Sequence, residues 1–536
     1  MNPEPSSRTP VAGDLKKSLS AAALITTSSV LASRIIGLVR EQALAALAGT
    51  SVSMDAYVAA FLIPEILNHI LAGGFLSITF IPIFQRHLIE GRQDRAWRSF
   101  SNLLTVGTVV MVALIAVCMV AAPDLLRFIA RIKHQNADPA FLSLSVKLTR
   151  IILPAQIFFY WGSFLMAVQY AQKRFFWPAL MPLCYNAGII IGGIALWKTM
   201  GIAGFAWGVA AGALIGGVLC QCIGAAQAGA RYVPVFDLRD PDLRRYVLLT
   251  LPFIVGLGMT FSNELVFRVF GMLFDHGTLS CLNYALRVMM LLVGVFGLAF
   301  SAASYPFQSQ LAAEKKHDRM NQLSDTIIRK ICIILFPVSG IMVVLAPEII
   351  SLLFERGSFT AASTARTAPL LMLYLPGAFA FAANAIVLRN YYAVQNTLYP
   401  MIVSTAALIA SLPFYIPAIR IFGAAGIPAM SSISMIAQFL IIYALWSRSH
   451  DNIRGLRSTL AMMLKTLLLS AGGIAACWGI KAAAASTVMS ALPVFAGRCA
   501  VCCLAGIPGL IICFLILHVA GIQDLREIPH TVLRRR

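Results

Sequence analysis

Six polar ionisable side chains stand within or at the ends of the first two apolar runs of this 536-residue chain. Arg34, Arg40, Glu41, Asp55, Glu65 and His69 lie in SRIIGLVREQALAALAGTSVSMDAYVAAFLIPEILNHILAGGFLSITFIPIF. A charge near the centre of a membrane helix costs about 2.5–3.5 kcal/mol on insertion scales, so such residues are expected to face a water-filled cavity or a partner and to mark a substrate path. In the second half Glu264 and Arg268 stand four apart, and Arg287 lies within NYALRVMMLLVGVFG. Arg34, Arg40 and Arg287 have no acid four positions away on either side. The guanidinium is a planar fork of donors that stays charged and meets a phosphate bidentately. Three such groups facing one cavity point to an anionic, phosphorylated substrate.

Helical geometry sets how these residues would be held. On an ideal helix Arg34 and Glu41, seven apart, share a face, and Gly37 permits a bend that brings both arginines to one cavity. Asp55, Glu65 and His69 fall within a stripe of about 80°, Glu65 and His69 are one turn apart, and Asn68 adjoins them. Plainer readings stand beside these. In these, Glu264 and Arg268 simply neutralise each other, and Asp55, following Ser51 and Ser53, only caps the second span.

The composition is 59% hydrophobic and 12% charged, with a mean hydropathy of +0.81. That is the composition of an all-α polytopic membrane protein. The net charge of +20 is spread over short loops rather than gathered in one patch, which argues against nucleic acid. Most of the eleven cysteines sit in apolar spans; Cys499 and Cys502 have redox spacing but no βαβ context, and Cys220 and Cys222 lack histidine partners. No metal site and no cofactor is read from the sequence. Met1–Lys17 is polar, with Pro3, Pro5 and Pro10, and is expected to be disordered and cytoplasmic; the span after Lys16 and Lys17 reads as a retained first helix rather than a cleaved leader.

Windows of about 20 apolar residues give fourteen spans: 19–47, 56–86, 99–122, 142–172, 177–197, 202–226, 245–273, 279–311, 326–354, 366–394, 399–420, 424–447, 458–481 and 491–519. Several exceed what a bilayer needs and should tilt, bend or project into water. Basic residues crowd alternate connections, for example Arg86, Arg92, Arg95 and Arg98, then Lys173 and Arg174, then Arg231, Arg239, Arg244 and Arg245, with the tail ending in Arg534–Arg536. The positive-inside rule therefore puts both termini in the cytoplasm. An offset of 222 links Pro154 to Pro376, Tyr170-Ala171 to Tyr392-Ala393, Pro178 to Pro400 and Gly201 to Gly423; an offset of 224 links Gly73, Ser77 and Pro82 to Gly297, Ser301 and Pro306. Two parallel six-span halves follow, with the last two spans outside the repeat. The expected divisions are 1–17, an N-lobe at 18–228, a C-lobe at 229–449, and 450–536 with the final pair and a basic tail.

SRIIGLVRE, MDAYVAAFLIPEIL, FLSITFIPIF, NYALRVMMLLVGVFGLAFSAASYP and LFERGSFTAASTARTAPLLMLYLPGAFAFAANAIVLRNYYAVQNTLYP keep their order over roughly residues 18–520. In them the chain resembles the MurJ/MviN lipid II flippases of the MOP exporter superfamily. The resemblance implies fourteen helices, with two six-helix lobes around a central cationic cavity and helices 13 and 14 forming a groove for a polyprenyl tail. It implies a transporter, not an enzyme, of the bacterial inner membrane, with lipid II (the undecaprenyl-pyrophosphate-linked disaccharide pentapeptide) as substrate. Membrane lipid and cell-wall synthesis proteins are the implied partners, and a coupling ion stays open. Carried over by position, Arg34, Arg40, Glu41, Asp55 and Arg287 match family site residues. Asn68 and His69 stand where the family has two arginines, Gly73-Gly74 where it has an acid and a glycine, and Leu286 where it has an aspartate. His69, held as imidazolium by Glu65 or by substrate, is expected to take over part of the pyrophosphate contact.

Other readings remain. A drug or cation antiporter of the superfamily should show acids rather than arginines in its cavity. A flippase for another polyprenyl-linked oligosaccharide is harder to separate. A polytopic glycosyltransferase or phosphatase would need a sizeable loop with paired carboxylates or a Ser/His constellation. A non-transporting scaffold of cell-wall assembly would not need intramembrane arginines.

Overall fold

The computed structural model describes residues 12–71, 75–131, 138–255 and 258–522, and among them every regular element is helical. Fourteen passes follow in chain order. They are α1 (Ala12–Ala48); α2, described as Val52–Ala60, Leu62–Leu71 and Phe75–Ile89; α3 (Gln93–Arg131); α4 (Pro139–Ile152 and Ala155–Ala171); α5 (Phe176–Met200); and α6, running from Ala203–Ala213 through a π turn to Cys220–Gln227. The second series is α7, described as Pro241–Val255 and Gly258–Gly271; α8, from Thr278–Val293 through a π turn to Ala299–Ala313; α9 (His317–Val344 and Ala346–Phe354); α10 (Ala361–Tyr374 and Ala378–Ala393); α11 (Leu398–Phe422); and α12 (Gly426–Ser449). The last pair is α13 (Ile453–Ala491) and α14 (Val494–Val519).

Ten described stretches are long and apolar enough to cross a membrane, and one of them, Leu398–Ser449, holds both α11 and α12. Passes α1, α2 and α7 complete the fourteen. α2 and α7 escape a length criterion because each is described in pieces of 15 residues or fewer. The 39 residues of α3 rise about 58 Å at 1.5 Å per residue, well past the hydrocarbon thickness, so this helix projects into water. The N-terminal helix begins at Ala12, inside the stretch expected to be disordered. Residues 1–11, Gly73-Gly74 and Arg534–Arg536 lie outside the described residues.

The internal repeat is visible in backbone angles. Lys173 and Gln395 (φ 60° and 59°), Gly201 and Gly423 (55° and 60°), and Gly229 and Asp451 (73° and 50°) are pairs 222 apart, and Gly91 and Lys315 (73° and 56°) are 224 apart. Pro154 and Pro376 each sit at the break in their pass, α4 and α10, where a ring nitrogen with no hydrogen cannot continue the helical ladder.

Contacts divide the chain into two units. The first takes the described residues of 1–44, 60–131 and 136–254, the second those of 45–59 and 255–536. The first unit packs Phe80, Phe84, Trp97, Phe100, Tyr160 and Phe164 into one aromatic cluster. Its α5 and α6 cross at glycines, because small residues let helix backbones approach in a membrane. A Cβ on Gly212 would fall 2.7 Å from the Tyr185 carbonyl oxygen and 3.0 Å from its Cα. Gly212→Leu should therefore cost at least about 1–3 kcal/mol. Thermal unfolding in detergent should show a clear drop in midpoint, whereas Gly479→Leu, at a position with nothing within 4 Å of a new Cβ, should leave it nearly unchanged.

In the second unit, ion pairs fasten α13 and α14. Lys481 Nζ lies 2.8 Å from Glu348 Oε2 and donates to the Val344 carbonyl, and Arg498 meets Glu355 at 2.6 Å. The Glu355 carboxyl is desolvated, which raises its pKa, but hydrogen bonds from Thr364 and Arg498 outweigh this and hold it below the ordinary value.

Candidate functional site

Arg34 and Arg40 lie on α1 in the first unit. Arg34 is half-buried and has no hydrogen-bond or ion-pair partner among the described residues. Arg40 is engaged: its Nη2 meets Glu41 Oε1 at 2.5 Å, and its Nη1 donates to Asn186 Oδ1 at 3.0 Å. Glu41 is only 5% exposed. Asn186 Nδ2 donates to the Pro182 carbonyl at 2.8 Å, so its amide is oriented with the oxygen toward Arg40. Arg40 thus has its acid at the adjacent position rather than one helical turn away, because the flexible side chains of Arg40 and Glu41 turn to meet each other. Gly37 does not interrupt α1 either. A Cβ there would sit 4.0 Å from Asn186 Oδ1, so this glycine leaves room beside the amide rather than making a break.

The stripe drawn through Asp55, Glu65 and His69 does not form. α2 is interrupted at Phe61, between Val52–Ala60 and Leu62–Leu71: Pro64 has no N–H to offer the Ala60 carbonyl four residues back, and its ring crowds that carbonyl, which accepts from Thr149 Oγ1 instead. Asp55 belongs to the second unit and Glu65 to the first. Glu65 and Asn68 are half-buried in the Leu62–Leu71 piece; the side chain of His69 lies outside the described residues.

In the second unit Glu264 faces two arginines. Its Oε1 is 3.3 Å from Arg287 Nη1, and its Oε2 is 3.9 Å from Arg268 Nη2. The reading of Glu264 and Arg268 as a self-contained pair is therefore revised, since Glu264 is closer to Arg287. Arg287 has its acid on the preceding pass, 23 residues back, rather than one turn away on its own helix. Arg268 is buried (3% exposed), with its guanidinium carbon 5.5 Å from the Phe267 ring centroid, while the Arg287 side chain stays 31% exposed. A buried arginine beside a shared carboxylate is a positioning element; the more open Arg287 is the one able to reach an anion.

Asp55 has a different task. Its Oδ2 accepts from the Gly277 amide at 2.5 Å, and its Oδ1 from the Ser280 amide at 2.7 Å and the Ser280 hydroxyl at 2.5 Å. Gly277, with φ 86°, precedes the first residue of α8. The carboxylate thus caps the N-terminus of α8, where orphan amides and the helix dipole both favour an anion. The local cap of α2 is supplied instead by Ser51, whose Oγ accepts from the Met54 amide at 3.3 Å. The same turn is held at further points. Ser358 donates through its amide to the Ala46 carbonyl (2.7 Å) and through its hydroxyl to the Leu47 carbonyl (2.9 Å), and Tyr284 OH donates to the Gly49 carbonyl (3.2 Å). Arg366 donates to the His276 carbonyl and to Thr278 Oγ1. Among the described residues no group of three or more His, Cys, Asp or Glu side chains is arranged to hold a metal ion.

Asn186 and the Asp55–Ser280 bonds were missed from the sequence. The signal for Asn186 was a lone amide in the apolar run LCYNAGII; for Asp55, the run of Gly277, Thr278 and Ser280 at the start of a helix.

The model of the lipid II flippase MurJ family matches residues 44–496. Probable lipid II flippases MurJ from Treponema pallidum and Bdellovibrio bacteriovorus are each 26% identical to this chain. The first aligns over 81% of this chain and 83% of its own length, the second over 86% and 87%. Among solved structures, a lipid II flippase MurJ in an inward closed conformation has a TM-score of 0.74 at 21% identity, covering 93% of this chain and 99% of its own. An inward-facing multidrug resistance MATE family transporter of the MOP superfamily has a TM-score of 0.63 at 14% identity, covering 82% of this chain and 99% of its own.

Proposed function

We infer the function from one premise: the chain belongs to the lipid II flippase MurJ family. It is a membrane transporter that moves the lipid-linked peptidoglycan precursor from the inner to the outer leaflet of the cytoplasmic membrane by alternating access. The observation that carries this reading is the set of arginines placed within apolar helices, Arg34 and Arg40 in one unit and Arg268 and Arg287 in the other. A pyrophosphate cannot cross about 30 Å of hydrocarbon unaided, since unpaired charge there is very costly. Arginine forks in a polar cavity lower that cost while the polyprenyl tail stays in lipid.

In this proposal Arg34, Arg40, Glu41, Asn68, His69 and Arg287 contact or frame the head group, Glu65, Glu264 and Arg268 are accessory, and Asn186 positions Arg40. Arg34 has open donors; Arg40 and Arg287 already hold carboxylates. An arriving pyrophosphate displaces Glu41 and Glu264, and release is helped when those acids close back on their arginines. The distribution of basic loops favours both termini in the cytoplasm, which would put the turn carrying Asp55 on the outer side. Residues 18–228 and 229–449 would form the two transport lobes, and 450–536 the tail-binding pair with its basic extension. Moving charged side chains through the membrane potential would bias the cycle by about 2.3 kcal/mol per charge per 100 mV.

The test is complementation. A bacterium depleted of its resident lipid II flippase should be rescued by this chain and not by an equally abundant Arg34→Ala variant. Correct insertion without rescue by wild type would move the substrate to another polyprenyl-linked glycan. His69→Ala, assayed from mildly acid to mildly alkaline pH, should rescue less well than wild type at the acid end, where the imidazole is charged; equal rescue throughout would remove His69 from the site.

A further inference from the structure

The connection from α6 to α7, residues 228–240, has no regular secondary structure and turns at 228–229 and 238–239, yet it is not a loose loop. It is tied to α3 along its length. The Val233 amide donates to Ser101 Oγ at 3.0 Å, Tyr232 OH and Thr105 Oγ1 lie 2.9 Å apart, and Asn102 grips the Asp237 backbone twice, at 2.8 Å each, through its amide donor and its oxygen. At the far end Arg95 meets Asp240 at 2.8 Å and Asp242 at 2.9 Å, and His87 Nε2 lies 2.9 Å from Asp242.

These ties sort the side chains by chemistry. The acids Asp240 and Asp242 are turned inward, at 2% and 4% exposure. The arginines Arg231 and Arg239 of the segment, and Arg244 and Arg245 at the adjoining start of α7, are all exposed. Interleaved with them, Tyr232, Val233, Phe236 and Leu238 also point outward, Phe236 at 56% and Leu238 at 64% exposure. Every negative charge of the segment but Asp237, which is half-buried and accepts from the Arg239 amide, is neutralised internally. The outer surface therefore offers cations and apolar rings together. The segment starts immediately after the end of a transmembrane pass, where Trp177 Nε1 donates to Gln227 Oε1, and tryptophans favour the membrane–water boundary.

We propose that this segment and the first turns of α7 are a docking surface for anionic phospholipid head groups of the leaflet they border, with the four arginines on the phosphates and with Phe236 and Leu238 inserted beneath them. The charge sorting selects this occupant: a neutral lipid surface would gain nothing from four outward arginines whose partner acids have been withdrawn. Each arginine near an anionic bilayer surface strengthens the association about fivefold. The rigid anchorage means that the surface is formed before lipid arrives, so little ordering cost opposes binding.

Hydrogen–deuterium exchange on the full chain in nanodiscs tests this. With phosphatidylcholine alone as reference, replacing a third of it by phosphatidylglycerol should slow exchange across residues 229–240 several-fold at low salt. High salt should close the gap, because these charges face water. Arg231→Gln/Arg239→Gln/Arg244→Gln/Arg245→Gln should abolish the lipid dependence with helix protection intact, and Phe236→Ser/Leu238→Ser should speed exchange in both lipids. Equal exchange of wild type in the two lipids at low salt would overturn the proposal without recourse to any variant.

Discussion

Replacing Arg34 by alanine should leave the protein as stable as wild type while weakening lipid II binding about 10- to 100-fold. Arg34 is half-buried and has no partner among the described residues, so its removal strands nothing in the resting fold. Hydrogen bonds to a charged group are each worth about 1.5–3 kcal/mol, which sets the expected loss. Arg34→Lys keeps the charge but not the fork, so it should fall between. Arg40 gives the contrast. Removing it takes an ion-pair partner from Glu41, 5% exposed, and a donor from the oriented Asn186 oxygen, and loss of a cation beside a buried carboxylate is costly. Arg40→Ala should therefore lose both thermal stability and binding. Titration with lipid II alongside thermal unfolding separates the two; a midpoint for Arg34→Ala as low as for Arg40→Ala would assign Arg34 to the scaffold.

Asp55→Ala should release the 45–59 turn from α8. Three hydrogen bonds to one carboxylate disappear together, leaving the Gly277 and Ser280 donors unsatisfied. A loss of at least about 2 kcal/mol follows, roughly a 30-fold shift in the ratio of released to docked turn. Cys281, next to Ser280 and 1% exposed, is a native reporter. A thiol reagent should modify its peptide faster in Asp55→Ala than in wild type, while the equally buried Cys332 on α9 reacts at an unchanged rate. Equal rates at Cys281 would mean that the remaining bonds from Ser358 and Tyr284 hold the turn unaided. Asp55→Asn should behave more like alanine than like aspartate, because one of its two side-chain atoms becomes a donor facing a donor.

The pass count, the repeat and the membrane class were legible because hydropathy and prolines act locally, and local rules need no knowledge of neighbours. Pro154 and Pro376 mark the breaks in α4 and α10 from sequence alone. The family resemblance was equally legible, carried by long ordered motifs. Pairing was not. Arg287 and Glu264 meet across 23 residues, Arg40 and Asn186 across 146, and Asp55 and Ser280 across 225. Each pair depends on which helices lie side by side, and periodicity within one helix does not specify that. The ideal-helix stripe through Asp55 and Glu65 failed for a reason the sequence did contain, Pro64 in mid-pass, which leaves the Ala60 carbonyl without its helical donor.

The left-handed turns shared by the two series of passes bear on descent. At Gly91 and Lys315, and at Gly229 and Asp451, one copy keeps glycine and the other bears a side chain in the same backbone region; at Lys173 and Gln395 neither copy has glycine. A side chain there costs roughly 1–2 kcal/mol, yet the turn angle has persisted while the residue changed. The two series therefore agree more closely in where the chain turns left-handed than in the residues that make those turns. Kinship between the halves is better traced by that geometry than by which letters still agree.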